Sequence, residues 1–385
     1  MQLKKQLFLL TFVTPFLVSC SNEMTAEKEV MPIAKLTYIG ETIISNQAMF
    51  AHTPIGGLSG IDYDPTTNKW LVISDDRVNH GPARAYIGSL ALSENKVGSF
   101  KFDQLITLKQ PDGTPYPSEN QYKKNFTGIV PDFESVRFTP GGNGIRYTSE
   151  GDRDLQFNPF IRTANLEGDY QGMLTVPSAY QYTAADKNSG FYNNLAFEGS
   201  SFTPDGQYYF VSMEAPLKQD GLVPSITKGG DVRVLKFDKQ GHVITQYVYS
   251  VDALPAAPGM GKHADNGVSE MLAIDNEHLL MLERAGIQDA QGHYHNYIRI
   301  YQTDLSHATN VNGQNKLVAG TYQPMHKKLL LSLNDLNLPL LDNVEGISFG
   351  PRLANGQRTL VVISDNNFNK HEITQIIAFS VKFNQ

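Results

Sequence analysis

A chain of 385 residues, 41% hydrophobic and 18% charged, carries enough apolar material for one large core or two smaller ones. Its net charge of -7, with 32 Lys and Arg scattered along the chain, excludes the clustered basic surface that nucleic acid demands. The contents of Gly (32), Pro (20) and Tyr (18) suit a turn-rich all-β chain.

The chain opens on a targeting segment. Lys4 and Lys5 form a positive n-region, Leu7 to Val18 an apolar stretch too short to span a bilayer, and Ser19-Cys20 a small-residue cleavage context. Leu17-Val-Ser-Cys20 resembles the lipobox of bacterial lipoproteins, which implies removal of residues 1–19 and lipidation of Cys20, the only cysteine. The alternative is an ordinary secretory signal with an incidental cysteine, against which stands that a lone cysteine in an exported chain has no disulfide partner. Ser21 is similar to the residue that follows the cysteine in lipoproteins sorted onward to an outer membrane. The expectation is therefore an exported protein of a Gram-negative outer membrane or periplasm, anchored by acyl chains on Cys20 without spanning the bilayer. Residues 20–34 then form a polar tether, and residues 35–385 the folded domain.

From Lys35 onward one pattern returns, a short strand, a turn and a second strand. Ser59-Gly-Ile-Asp-Tyr63-Asp-Pro65 leads to Leu71-Val-Ile-Ser-Asp75; Phe133-Glu134-Ser-Val-Arg-Phe138-Thr-Pro140 leads to Tyr147-Thr-Ser-Glu150. Glu198 to Phe202 leads through Pro204-Asp205-Gly206 to Tyr208 to Glu214. Ser269-Glu270-Met-Leu-Ala-Ile274 leads to Leu280-Met-Leu-Glu283, and Val344-Glu345-Gly-Ile-Ser-Phe349 to Val361-Val-Ile-Ser-Asp365. Heads at 59, 134, 198, 270 and 345 give steps of 75, 64, 72 and 75 residues. Even steps of this length predict an all-β propeller of five four-stranded blades around a central channel. Six blades stay open if Lys316 to Asn334 hides a degenerate unit.

Third strands are predicted at Arg84 to Ala91, Phe160 to Leu166, Val232 to Phe237, Tyr297 to Tyr301 and Gln375 to Val381. The last repeat runs out of chain after its third strand, so Leu36 to Ile44 is expected to complete that blade and close the ring. No helical pattern of convincing length appears. The polar insertions Gln110 to Pro131, Pro177 to Asn194, Lys218 to Gly230 and Leu254 to Gly267 read as loops on the faces of the ring.

Aligned on their acids, the copies place Ser59, Glu134, Glu198, Glu270 and Glu345 at the heads of the inner strands. Asp75, Glu150, Glu214, Glu283 and Asp365 then end the next strands. In a hairpin these two positions are neighbours, so nine acids are expected to converge on one channel mouth. Crowded carboxylates repel and raise one another's pKa unless cations compensate. Arg77, Arg153 and Arg284 follow the second-position acids closely, and Ca²⁺, with its six to eight oxygen ligands, suits such a mouth. In the bland reading the acids cap strand ends and bind nothing.

Gly57-Leu-Ser-Gly-Ile-Asp-Tyr-Asp64, Ile73-Ser-Asp-Asp-Arg77, Asp132-Phe-Glu-Ser-Val-Arg-Phe138, Phe197-Glu-Gly199 and Asn343-Val-Glu-Gly-Ile347 together resemble the phytase-like, "esterase-like activity" family of secreted bacterial propellers. The resemblance covers roughly residues 50 to 383. It implies ester hydrolysis at the acidic mouth, with a phosphate ester as substrate, cation held by the nine acids, and the three arginines steadying phosphoryl oxygens. One alternative is a non-catalytic propeller binding a small ligand or an envelope protein. Another is a carboxyl-esterase, although Gly57-Leu-Ser59-Gly60 lacks the Gly-x-Ser-x-Gly spacing. His52, His80 and His263 are candidate bases. The expected partners are a small, phosphorylated ligand and the membrane, with the protein a monomer.

Overall fold

Turn chemistry sets the strand lengths. Between Phe202 and Tyr209, Asp205 accepts hydrogen bonds from the Thr203 hydroxyl (2.6 Å) and the Gln207 amide (3.0 Å), and Gly206 supplies φ +63°. Asp64 serves the hairpin of the first repeat in the same way, accepting from the Thr67 hydroxyl (2.6 Å) and the Thr66 amide (2.9 Å).

The computed structural model describes residues 31–384. The proposed signal segment, Cys20 and most of the tether lie outside the described residues. The ring begins with β1 (Ile33–Ile44) and a two-stranded hairpin of β2 (Met49–Phe50) and β3 (Thr53–Pro54). Blade one comprises β4 (Leu58–Asp64), β5 (Lys69–Ser74), β6 (Arg84–Ser93) and β7 (Lys96–Thr107). Blade two comprises β8 (Phe133–Phe138), β9 (Gly144–Ser149), β10 (Phe160–Asn165) and β11 (Tyr170–Leu174), and blade three β12 (Phe197–Phe202), β13 (Tyr209–Met213), β14 (Gly230–Phe237) and β15 (Val243–Val251). Blade four comprises β16 (Gly267–Ala273), β17 (His278–Gln288), β18 (Tyr294–Asp304) and β19 (His326–Ser332). Blade five pairs β20 (Asn343–Arg352), β21 (Arg358–Asp365) and β22 (Thr374–Phe383) with β1.

The ring thus has five four-stranded blades. Lys316 to Asn334, the stretch that left a sixth open, contains β19, the outer strand of blade four. Closure by the N-terminal strand is as expected. β1 runs antiparallel to β22 from Ile33 opposite Phe383 to Ile44 opposite Thr374, beginning two residues ahead of Lys35. The first insertion departs from the loop expectation. It folds Glu119–Asn125 into a short helix, α1, because Ser118 and Gln121 form a capping box at its start.

The core is a set of layers between blades, and strand alternation decides which layer each residue joins. Leu71 and Ile73 pack toward Val136 and Ile145 of blade two, whereas Trp70 and Val72 face Val361 and Ile363 of blade five. On the axis, Arg137 of β8 fills the channel. Its Nε donates to Ser200 O (2.6 Å), Nη1 to Ile61 O (2.7 Å) and Ile347 O (2.9 Å), and Nη2 to Met271 O (2.9 Å). One guanidinium therefore holds carbonyls of the other four blades.

Candidate functional site

A β-bulge lies at the head of the inner strand in all five blades. The ladder register shifts between Leu58 and Gly60, Phe133 and Val136, Phe197 and Ser200, Val268 and Glu270, and Val344 and Gly346. A bulge re-aims the side chain that it releases. The residues after the leading apolar position are Ser59, Glu134, Glu198, Ser269 and Glu345. Glu134, Glu198 and Glu345 line the mouth. The two serines instead turn to the next blade, Ser59 Oγ donating to Glu134 O (2.8 Å) and Ser269 Oγ to Val344 O (3.2 Å).

This register corrects two expected site residues. In blade four the leading position is Ser269, and Glu270 falls one residue deeper. Its carboxylate meets Arg137 Nη2 at 2.9 Å and accepts from Ser200 N (2.7 Å) and Ser135 Oγ (2.9 Å), so it is part of the axial plug. Glu283 lies opposite Val268 and faces the layer between blades three and four, where it meets Tyr249 Oη (2.6 Å), Lys327 Nζ (2.8 Å) and Arg299 Nη2 (3.2 Å). The blade-four residue equivalent to Asp75, Glu150, Glu214 and Asp365 is Arg284, opposite Gly267.

The mouth opens into a cavity of about 790 Å³ lined by Asp75, Glu134, Glu198, Glu214, Glu345 and Asp365 together with Arg284. Glu150 is fully buried beside them, close to Glu134 and Glu198. Backbone geometry fixes these ends. Asp75 N donates to Gly57 O at 2.6 Å, and Gly57 has φ +63° with space for no side chain, since a Cβ there would stand 2.2 Å from Asp75 O. Asp132 joins the cluster from the segment before β8. Two triads result, Asp75–Asp132–Glu134 and Glu134–Glu150–Glu198, each with one oxygen per residue within 4.8 Å of the others.

Burial and mutual repulsion dominate the electrostatics. Burial first, and neighbouring carboxylates second, push Asp75, Glu134, Glu150 and Glu198 well above the ordinary carboxylate range. Asp365 is raised by burial and by Glu345. Burial lifts Asp132 to about 6 against the pull of Arg77, and Glu214 to about 8 against that of Arg284. Glu150 Oε2 and Asp75 Oδ1 are buried without a hydrogen-bond partner, an arrangement that costs stability unless a cation or proton serves them. The donor set, all carboxylate oxygen, fits a hard divalent cation.

The three arginines part company. Arg284 faces the cavity. Arg77 is not among the lining residues and is bound to Asp132 (2.9 Å) and Asp152 (2.5 Å). Arg153 is spent on a loop, donating to Phe191 O (2.6 Å), Ser189 O (3.0 Å) and Lys187 O (3.1 Å) with its guanidinium over Tyr182. Among the histidines, His80 stacks on Phe368 at 4.0 Å, His52 is exposed, and His263 bonds Tyr294 Oη at 3.3 Å. His293 and His371, which sequence reasoning missed, line the cavity with Asp265, Asp342 and Glu372.

Fold and site define the class: a five-bladed β-propeller with an arginine bonded across its axis and a carboxylate-lined cavity. The chain belongs to the Phytase-like family, described as esterase-like activity of phytase, which matches residues 53–368. No curated protein sequence shows significant similarity to it. Among solved structures, it is similar to the catalytic domain of a Coprinopsis cinerea GH62 α-L-arabinofuranosidase, at 11% identity over 92% of this chain and 98% of that one, TM-score 0.44. It is also similar to a thermostable family-43 glycoside hydrolase (10% identity, 86% and 90%, TM-score 0.38). A third is the Bombyx mori GH32 β-fructofuranosidase BmSUC1 (9%, 86% and 63%, TM-score 0.37).

Proposed function

We propose that the mouth binds divalent cations, Ca²⁺ first among them, and hydrolyses a phosphate ester there. The observation that carries this reading is the pair of triads sharing Glu134, with the Glu150 Oε2 and Asp75 Oδ1 atoms buried and unpartnered. Asp75, Asp132, Glu134, Glu150 and Glu198 would hold the cation, which when bound supplies charge neutralisation at phosphoryl oxygens and activation of water. Arg284 offers the fixed positive charge inside the cavity, and Arg77 restrains Asp132 through their ion pair. A serine mechanism is disfavoured because the Ser59 hydroxyl is bonded to backbone carbonyls and to no histidine.

The test is turnover of p-nitrophenyl phosphate, phytate and p-nitrophenyl acetate with Ca²⁺ and with EDTA. Phosphate release that requires Ca²⁺ and stops in EDTA is expected. Acetate hydrolysis indifferent to EDTA would instead make the protein a carboxyl-esterase. No turnover, with a Ca²⁺-dependent rise in Tm, would make it a binding module.

We also propose that acyl chains on Cys20 hold the protein at a membrane. Among the described residues no helix is long and apolar enough to cross one. Cys20→Ala is expected to move the protein from the membrane to the soluble fraction; unchanged retention would end this proposal.

A further inference from the structure

Blade four departs from blades two, three and five at both mouth positions, carrying Ser269 and Arg284 where each of them carries two acids; blade one, with Ser59 and Asp75, departs only at the first, so the basic residue sets blade four apart. The Arg284 guanidinium is caged. Nη2 stands 3.3 Å from Glu214 Oε1, Nε 3.6 Å from Glu345 Oε1 and Nη1 3.9 Å from Asp265 Oδ1. These carboxylates come from blade three, blade five and the segment before β16, so they surround the cation from separate elements. Arg284 Nε is buried with no hydrogen-bond partner, and the contacts exceed the roughly 2.9 Å of a direct N–H···O bond. Charge, more than bonding geometry, seats the group.

We propose that Arg284 is a tethered cation occupying a second cation position of the mouth, so that exchangeable divalent ions are confined to the half built by blades one to three. The inference rests on the reading of that half as a cation site. Arg284 faces the same cavity as Glu134 and Glu198. Anionic oxygens bound across the mouth then meet an exchangeable cation on one side and a permanent one on the other. The fold supplies the second charge whatever the ion concentration. A lost guanidinium leaves Glu214, Asp265 and Glu345 as an oxygen cage, which a hard cation fills by drawing them in to about 2.3–2.6 Å.

The experiment counts ions. The full chain is titrated with Ca²⁺ alone by calorimetry and equilibrium dialysis, as wild type, Arg284→Met, Arg284→Lys and Arg284→Met with Glu345→Gln. Arg284→Met is expected to bind one more Ca²⁺ per chain than wild type. Arg284→Lys should keep the wild-type count, and the double variant should lose the extra ion. Equal counts in wild type and Arg284→Met overturn the inference while leaving the cation reading of blades one to three intact. An ion bound by Arg284→Met but none by wild type leaves Arg284 as the occupant of a cation position and overturns both the confinement of exchangeable ions to blades one to three and that reading; none in either removes both. Should Arg284→Met fail to fold, Glu345→Gln in the wild-type background decides. It should leave the count unchanged, and loss of an ion there refutes the tethered-cation role.

Discussion

Arg137→Met is expected to destabilise the protein by about 3–5 kcal/mol, the cost of removing one partner from a buried ion pair. Arg137 is 2% exposed, and its five N–H donors serve four carbonyls on four blades as well as Glu270. Methionine fills part of the volume and leaves those acceptors dry. Glu270 is already held at about 7 by burial, against the pull of Arg137, and loses that pull in the variant. Its folded pKa then rises further above the unfolded value, so the native state holds a proton that the unfolded chain releases. Stability is lost as pH rises through that folded pKa, and the cost should be larger at pH 8 than at pH 5. Denaturant titration at both pH values measures it. Adding Glu270→Gln to Arg137→Met should recover part of the loss, because it removes the stranded charge but not the stranded carbonyls. A loss under about 1 kcal/mol would show that the axial plug is dispensable.

The ring was legible in the sequence because each blade must begin with a short buried hairpin closed by a turn, and turn residues are local signals. Ring closure was legible for a related reason: a blade lacking its fourth strand leaves an open edge, and Leu36 to Ile44 was the spare. The mouth was legible in outline only. Matching glutamate to glutamate placed Glu270 and Glu283 in the ring, whereas the bulge counts from the apolar residue before it. Matching Leu58, Phe133, Phe197, Val268 and Val344 yields Ser269 and Arg284 directly. Arg137 was hidden for another reason. Nothing in Ser135-Val-Arg-Phe138 states that the neighbouring inner strands leave carbonyls facing the axis. Asp132, Asp265, His293 and His371 reach the cavity from loops or their edges, whose paths depend on packing between blades. The α1 capping box was readable, Ser118 with Gln121 three residues on, but without an apolar face it carried no periodic signal.

Glu134→Gln should separate a cation site from a set of strand caps, because the two readings give opposite signs. Glu134 belongs to both triads, and burial together with Glu198, Asp75, Glu150 and Asp132 disfavours its charge. Without cation, the native state of the wild type holds protons that the unfolded chain releases, since the carboxylates of the mouth have raised folded pKa values. With more protons bound in the native state, stability falls as pH rises, here across the window set by Asp132 at about 6 and Glu214 at about 8. The Tm of wild type in EDTA should therefore drop between pH 6 and pH 9. Ca²⁺ should reverse that drop, by about 2.7 kcal/mol when the free ion is a hundred times its Kd. Because carboxylates must shed their protons to bind it, the rise should be larger at pH 8 than at pH 5. The amide of Glu134→Gln removes a carboxyl that in the folded mouth must either hold a proton or repel its neighbours, so the variant in EDTA at pH 8 should melt higher than wild type and show a flatter pH profile. The same change withdraws the shared ligand, so Ca²⁺ should no longer raise its Tm, and phosphate-ester turnover should be lost. If the acids only cap strand ends, the substitution will lower the Tm at every pH and Ca²⁺ will move neither protein.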